Sequence, residues 1–260
     1  MGEMLEVAKK AAIGAGKITI SLRAKKHKYF IKIAEDEIGD FTTEADKLAE
    51  QKILEILQSR FPKHNYLSEE AGRQDSGSDY WWVIDPLDGT WAYSHGLPSF
   101  GVSIGLLKEG KPILGVLNFP AFNCIYWSEE GNGAYMNGKR IKVTDEKDLS
   151  KCFVGFGLGY VGERDEEIEK LLKPIAGVVR YPPVVEAAIL GLSYVARGAY
   201  AGYVQWAYPW DFVGGAAIIE EAGGKLTDFW GKPVNWLAKD IPLVATNGKI
   251  HDEILELIKT

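Results

Sequence analysis

The segment Asp85-Pro86-Leu87-Asp88-Gly89-Thr90 sets two carboxylates three residues apart around a proline, directly after the apolar run Trp81-Trp82-Val83-Ile84. That run predicts a β-strand buried on both faces. Pro86 has no N–H to give, so the ladder should stop at Asp85. Asp88 then falls at a turn, and Gly89-Thr90 can open a short helix. Both carboxylates and the Leu87 carbonyl would converge on one point, an all-oxygen donor set suited to a hard cation such as Mg²⁺. The N–H groups of Gly89 and Thr90 offer a place for a phosphate beside it. Taken alone, the segment reads equally well as a turn, because Asp-Pro and Asp-Gly are common turn pairs.

Two other acidic positions change that balance. Leu67-Ser68-Glu69-Glu70 closes a short apolar run, and Pro209-Trp210-Asp211-Phe212 opens a helical pattern. Alone, Glu69-Glu70 reads as a solvated surface pair and Asp211 as a helix N-cap. Combined with Asp85 and Asp88 they become informative, as further acidic residues available to a metal site.

These residues need a scaffold, and 260 residues suffice for one large domain or two small ones. Hydrophobic residues make up 46% and charged residues 25%, the profile of a globular protein. The formal net charge of -6 argues against nucleic acid or an anionic membrane as a partner, since both require basic patches. Cys124 and Cys152 lack metal-ligand spacing and cannot form a disulfide framework, so a cytoplasmic location is expected. No run predicts a signal peptide or a membrane span. The four histidines form no metal-spaced pair, and there is no P-loop signature. Gly155-Phe156-Gly157-Leu158-Gly159 follows a strand pattern, but Tyr160-Val161-Gly162 does not complete a dinucleotide fingerprint, which leaves close packing or a loop near the pocket. Trp206, Trp210, Trp230 and Trp236 predict core packing or a subunit interface.

Apolar residues at helical spacing predict a helix over residues 3–24. A charged loop follows at 25–40. Thr42 or Thr43 should cap a second helix running to Arg60, with Leu48, Ile53, Ile56 and Leu57 on its buried side. Strands are predicted at 80–84, 101–107, 113–118 and 124–128, joined antiparallel by short turns, the clearest at Lys108-Glu109-Gly110-Lys111. Beyond Ile141 strands and helices alternate, with helices expected at 165–172, 186–196, 211–221 and after Asn247-Gly248. The reading is therefore α/β, an α+β part over 1–140 with most of the metal ligands and an α/β part over 141–260 with Asp211 and the substrate-selecting segments.

In this order the motifs resemble the inositol monophosphatase family of metal-dependent, lithium-sensitive phosphatases. The resemblance rests on Trp82-Val83-Ile84-Asp85-Pro86-Leu87-Asp88-Gly89-Thr90, Phe100-Gly101-Val102-Ser103-Ile104-Gly105, and Trp210-Asp211-Phe212 with Glu221-Ala222-Gly223-Gly224 behind it. Ser68-Glu69-Glu70 stands where the family has Gly-Glu-Glu, and Asp40-Phe41-Thr42-Thr43-Glu44-Ala45-Asp46 is similar to its early Asp-x-x-Thr-x-x-Asp segment.

The resemblance implies a layered αβαβα sandwich of the sugar-phosphatase type, a homodimer, and two to three Mg²⁺ ions per site. It implies that Glu69, Asp85 and the Leu87 carbonyl hold one ion, that Asp85, Asp88 and Asp211 hold a second, and that Glu69 touches a weaker third. Thr90, hydrogen-bonded to Asp46, would orient the attacking water, with Glu69 assisting proton removal. Asp88, Gly89, Thr90 and Asp211 would line the place of a small phosphorylated metabolite, and the 25–40 loop would cover it. The match thins at substrate choice. Glu186-Ala187-Ala188-Ile189 replaces the family's Gly-Ser/Thr-Ala-Ala after an unusual Tyr181-Pro182-Pro183, and Val204 stands where a Glu contacts inositol. Arg180 and Glu186 are candidates for contacting another substrate. Inositol monophosphate, fructose-1,6-bisphosphate and 3′-phosphoadenosine 5′-phosphate are the implied substrates, and a catalytically silent metal- or phosphate-binding relative is the alternative from another class.

Overall fold

The computed structural model describes residues 2–23, 29–31, 41–159 and 164–259. The 25–40 loop therefore lies outside the described residues, apart from one short strand, as does Tyr160-Val161-Gly162. Helix α1 (Glu3–Arg23) buries Leu5, Ala8, Ala11, Ala12 and Ala15, close to the predicted stripe. The ribbon of β1 (Tyr29–Ile31) and β2 (Phe41–Thr43) leads into α2 (Glu44–Arg60). Thr43 is its cap: the hydroxyl accepts from Ala45 N at 3.1 Å, and Asp46 accepts from Thr43 N at 2.8 Å. Ile53 and Leu57 are buried as expected, but Leu48 is exposed. The inward face of α2 instead includes two acids, Asp46 and Glu50.

Next come β3 (Asn65–Ser68), β4 (Gly72–Gln74), β5 (Tyr80–Asp88), the short helix α3 (Thr90–Ser94), β6 (Gly101–Lys108), β7 (Lys111–Phe119), β8 (Cys124–Glu129), β9 (Gly133–Met136) and β10 (Lys139–Ile141). They form one sheet in the order β10-β9-β8-β7-β6-β5-β3-β4, antiparallel except for the β3–β5 pair. The predicted hairpin closes through Glu109 and Gly110, both at positive φ (50° and 76°), the twist that two-residue hairpin loops need.

Strand β5 departs from the expectation that Pro86 ends it. It continues to Asp88, and its register against β6 moves from Asp85↔Ser103 to Asp88↔Gly101, three residues against two. One residue is bulged out, and a bulge tolerates proline because it lies outside the ladder. The bulge has a consequence for chemistry. Residues three apart on a regular strand face opposite sides. The extra residue turns Asp85 and Asp88 toward the same side.

A second sheet, ordered β11-β12-β14-β13, is built from β11 (Val154–Phe156), β12 (Gly202–Ala207), β13 (Lys225–Asp228) and β14 (Ile241–Thr246). It is mixed, with only β11 and β12 parallel. The helices of this half are α4 (Arg164–Glu167) and α5 (Lys173–Ala176), joined by the π-helical stretch Ile168–Leu172, then α6 (Ala188–Ala196), α7 (Pro209–Glu221) and α8 (His251–Ile258). Gly155 and Gly157 are packing glycines: a Cβ on them would meet the Tyr200 ring and the Gln205 side chain.

Three apolar clusters define the layering. Ala8, Ala12 and Ile53 of α1 and α2 pack on Trp82, Ile84 and Ile104 of the first sheet. Its other face meets α6 and α7 through Leu107, Leu117, Val213 and Ile218, and the same cluster takes in Tyr203, Leu243 and Ala245 of the second sheet. The far face of that sheet, with Val154, Val204 and Val244, packs on Ile175, Ile254 and Ile258. The result is an αβαβα sandwich. Close approach of the middle helix depends on glycine, since a Cβ on Gly105 or Gly115 would strike the Gly214 backbone. With α7 seated that low on the sheet, its first turn reaches the end of β5.

Candidate active site

The parallel pairing of β3 and β5 brings the first two acids together. Ser68 pairs with Ile84, and Glu69 N donates to Ile84 O at 3.2 Å, so Glu69 leaves β3 level with Asp85. Asp85 Oδ1 accepts from Leu87 N at 2.8 Å, which fixes the carboxylate against the bulge. Asp211 arrives from the third position of α7, where Oδ2 accepts from Tyr208 N at 2.8 Å. It is thus the third residue of the helix and not its N-cap, and the helix starts two residues earlier than predicted.

One carboxylate oxygen each from Asp85, Asp88 and Asp211 lies within 4.8 Å of the others. Burial pushes Asp85 well above the ordinary carboxylate range, with Glu69, Asp88 and Asp211 adding to it. Burial does the same to Asp211, followed by Asp88. Asp88 is raised to about 7 by burial, although the N–H groups of Ile189, Gly89 and Ala188 pull the other way. The charge of these acids is opposed by burial and by one another. A multivalent cation resolves that conflict, and the all-oxygen donor set fits a hard one. Leu87, in the bulge, is buried, and its carbonyl already accepts a hydrogen bond from Thr90.

Asp88 has a second task that the sequence does not announce. Helix α6 starts after Ala187, which has no capping side chain, and Asp88 Oδ2 accepts from Ile189 N at 2.7 Å. Gly89 sits at φ 83°, and a Cβ there would stand 2.6 Å from Ser99 O, so both backbone and space require glycine.

Thr90 Oγ1 lies 3.1 Å from Asp46 Oδ1 and 2.9 Å from Leu87 O. A hydroxyl has one proton to give. If the Leu87 carbonyl is engaged elsewhere, that proton goes to Asp46 and the Thr90 lone pairs face outward as acceptors. Asp46 is raised to about 6, chiefly by burial, against the hydrogen bonds from Thr43.

Glu69, Asp85, Leu87, Asp88, Gly89, Thr90, Asp211 and Asp46 thus lie in one region of the fold. Two residues escaped the sequence reading: Glu50, a lone acid on a helix, and Ile189, which acts through its backbone. Of the histidines, His64 receives the Trp82 indole N–H at 3.1 Å, and His251 sits between the Thr227 and Thr246 hydroxyls, each 2.9 Å away. Val204 is buried against Phe156 and Val244, so that position offers nothing polar to a substrate. The late tryptophans are dispersed: Trp236 is buried, while Trp206 and Trp230 are exposed. Among the described residues, no helix is long and apolar enough to cross a membrane.

Fold and carboxylate cluster together are those of a metal-dependent phosphatase acting on small phosphate esters, a phosphoric monoester hydrolase. The model of the inositol monophosphatase family matches residues 1–260. A fructose-1,6-bisphosphatase/inositol-1-monophosphatase of Aquifex aeolicus is 40% identical over 260 residues, covering 98% of this chain and 95% of the relative. The extragenic suppressor protein suhB of Bartonella henselae superposes with TM-score 0.91 at 28% identity, over 100% of this chain and 99% of that one. An inositol monophosphatase from Anabaena superposes with TM-score 0.85 at 33% identity, over 98% of this chain and 94% of that one. The chain belongs to the inositol monophosphatase family.

Proposed function

We propose that the chain hydrolyses fructose-1,6-bisphosphate and inositol monophosphate with Mg²⁺, using a water molecule as nucleophile and two to three ions per site. The observation that carries this reading is the triad of buried Asp85 and Asp88 with half-buried Asp211, at the end of β5 and the start of α7. Glu69, Asp85 and the Leu87 carbonyl would hold one ion; Asp85, Asp88 and Asp211 a second; Glu69 would also touch a third. Bound there, Mg²⁺ supplies Lewis acidity toward phosphoryl oxygens and lowers the pKa of water.

The chain's own residues do the rest. Thr90 donates a hydrogen bond to ionised Asp46 and accepts a hydrogen bond from the attacking water, which keeps its own protons until attack and has an oxygen lone pair aimed at phosphorus. Glu69 takes up the proton released on attack. The Thr90 amide faces the transferred group, together with that of Gly89 when the latter turns from Asp88. Dual specificity is supported by the Aquifex relative's name; buried, apolar Val204 removes an acid directed at inositol and leaves recognition of that substrate to other residues. The proposal includes a homodimer, as the family resemblance implies, and a cytoplasmic location, in keeping with two cysteines that build no disulfide framework; light scattering on the purified protein tests the dimer.

Phosphate release decides the reading. A panel of fructose-1,6-bisphosphate, inositol-1-phosphate and 3′-phosphoadenosine 5′-phosphate should show release with Mg²⁺ from the first two and none with EDTA. Metal-dependent release from the nucleotide alone would reassign the substrate. No release from any ester would point to the silent relative.

Removing the Thr90 hydroxyl isolates the water-orienting step. Thr90→Ala should lower kcat by roughly 10²–10³ with little change in the Mg²⁺ dependence, and Thr90→Ser should recover most of it. Equal turnover of the alanine and parent enzymes would remove Thr90 from the chemistry.

A further inference from the structure

One buried carboxylate beside the site has no part in the ligand set. Glu50 lies four residues after Asp46 on α2, so the two share a helix face, and it is only 7% exposed. Its Oε1 accepts from Glu70 N at 3.1 Å, from Ala71 N at 3.0 Å and from the Ser68 hydroxyl. These donors flank Glu69 on both sides in sequence. Glu69's own N–H is held by Ile84 O on β5. The backbone that presents Glu69 is therefore gripped from α2 and from β5 at once. The two buried acids of α2 divide the work: Asp46 holds Thr90, and Glu50 holds the turn of Glu69.

We propose that Glu50 is a positioning residue, which by fastening the turn at 68–71 fixes the Glu69 carboxylate beside Asp85 and sets the affinity for the divalent cation. The inference rests on Glu69 being a ligand, as proposed above. A carboxylate does this better than a neutral acceptor, because hydrogen bonds to an ionised oxygen are shorter and stronger. A ligand held by a fixed partner loses less freedom on binding, and loss of such a partner typically weakens metal affinity about 10–100-fold.

Calorimetric titration of the full chain with Mg²⁺ alone, without substrate, tests this in a double-mutant cycle, with circular dichroism as the check on folding. Glu50→Ala should weaken Mg²⁺ binding at least about tenfold, and Glu50→Gln about threefold, since its amide oxygen still accepts but carries no charge. In a Glu69→Gln background neither change should weaken binding further, because Glu50 acts only through Glu69. Parent-like affinity in both Glu50 variants would overturn the inference. So would a loss of the same size on top of Glu69→Gln, which is what general loosening of the fold would produce. If Glu50→Ala does not fold, Glu50→Gln and its double variant decide by the same criteria. A Glu69→Gln protein that binds Mg²⁺ normally would instead overturn the ligand assignment itself, and the Glu50 inference with it.

Discussion

Asp85→Asn should lower kcat/KM at saturating Mg²⁺ at least about 1,000-fold, equivalent to about 4 kcal/mol of transition-state stabilisation, while the protein stays folded. Asp85 is the carboxylate common to both ion positions of the proposed site, so its charge is missed twice. Its structural duty is modest by comparison: Oδ1 accepts from Leu87 N, and an asparagine oxygen can do the same. The substitution also removes one of three acids that repel one another out of water. The metal-free variant should therefore melt no lower than the metal-free parent. Near-normal turnover would sink the metal assignment, and a large loss of metal-free stability would mean that Asp85 is held by contacts other than those described.

The second large effect is a loss of stability with rising pH that added metal offsets. Burial raises Asp88 to about 7 in the folded chain, from an ordinary carboxylate value of 3.8. Between those values the folded chain retains a proton that the unfolded chain has released. The contribution to stability is complete below the unfolded pKa and is lost as pH rises through the folded one. Asp85 and Asp211 act in the same direction, and Asp46, at about 6, over a narrower window. Exposed acids such as Asp75 and Glu166 are lowered and oppose this, but solvent screens them. In EDTA the melting temperature should fall as pH rises from about 4 to about 7. Mg²⁺ should therefore raise it more at pH 7.5 than at pH 5, because at the lower pH protons compete for the same oxygens. Scanning calorimetry at both pH values checks this; a metal-induced shift that is equal at both, or larger at pH 5, would contradict it.

Much of the scaffold is legible in the sequence because its signals are local. Helices α1, α2, α6 and α7 follow from apolar spacing, and their observed ends fall within about two residues of the expected ones, as is usual for helix termini. The hairpin at Glu109-Gly110 follows from turn chemistry. What is harder to read depends on partners distant in the chain. Whether Pro86 ends a strand or bulges out of it is decided by the register of β6, and only the second outcome turns Asp85 and Asp88 to one side. The second sheet alternates with helices, yet only one of its strand pairs is parallel.

The candidate site divides along the same line. Glu69, Asp85, Asp88, Thr90 and Asp211 have residue types that suggest chemistry, and their motifs identify them. Glu50 has no motif of its own, and its meaning lies in donors eighteen to twenty-one residues away. Leu48, expected inside, is at the surface because the inward face of α2 turns toward the site with Asp46 and Glu50. A helix face with buried acids defeats a search for apolar stripes.

Anomalous scattering from Mn²⁺-soaked crystals of this protein, with Mn²⁺ standing in for Mg²⁺, tests the central claim most directly. The account predicts peaks enclosed by Asp85, Asp88 and Asp211 and by Glu69, Asp85 and the Leu87 carbonyl. Those peaks should be lost or weakened in Asp85→Asn. An enzyme that is active with Mn²⁺ but shows no peak at these oxygens would contradict it.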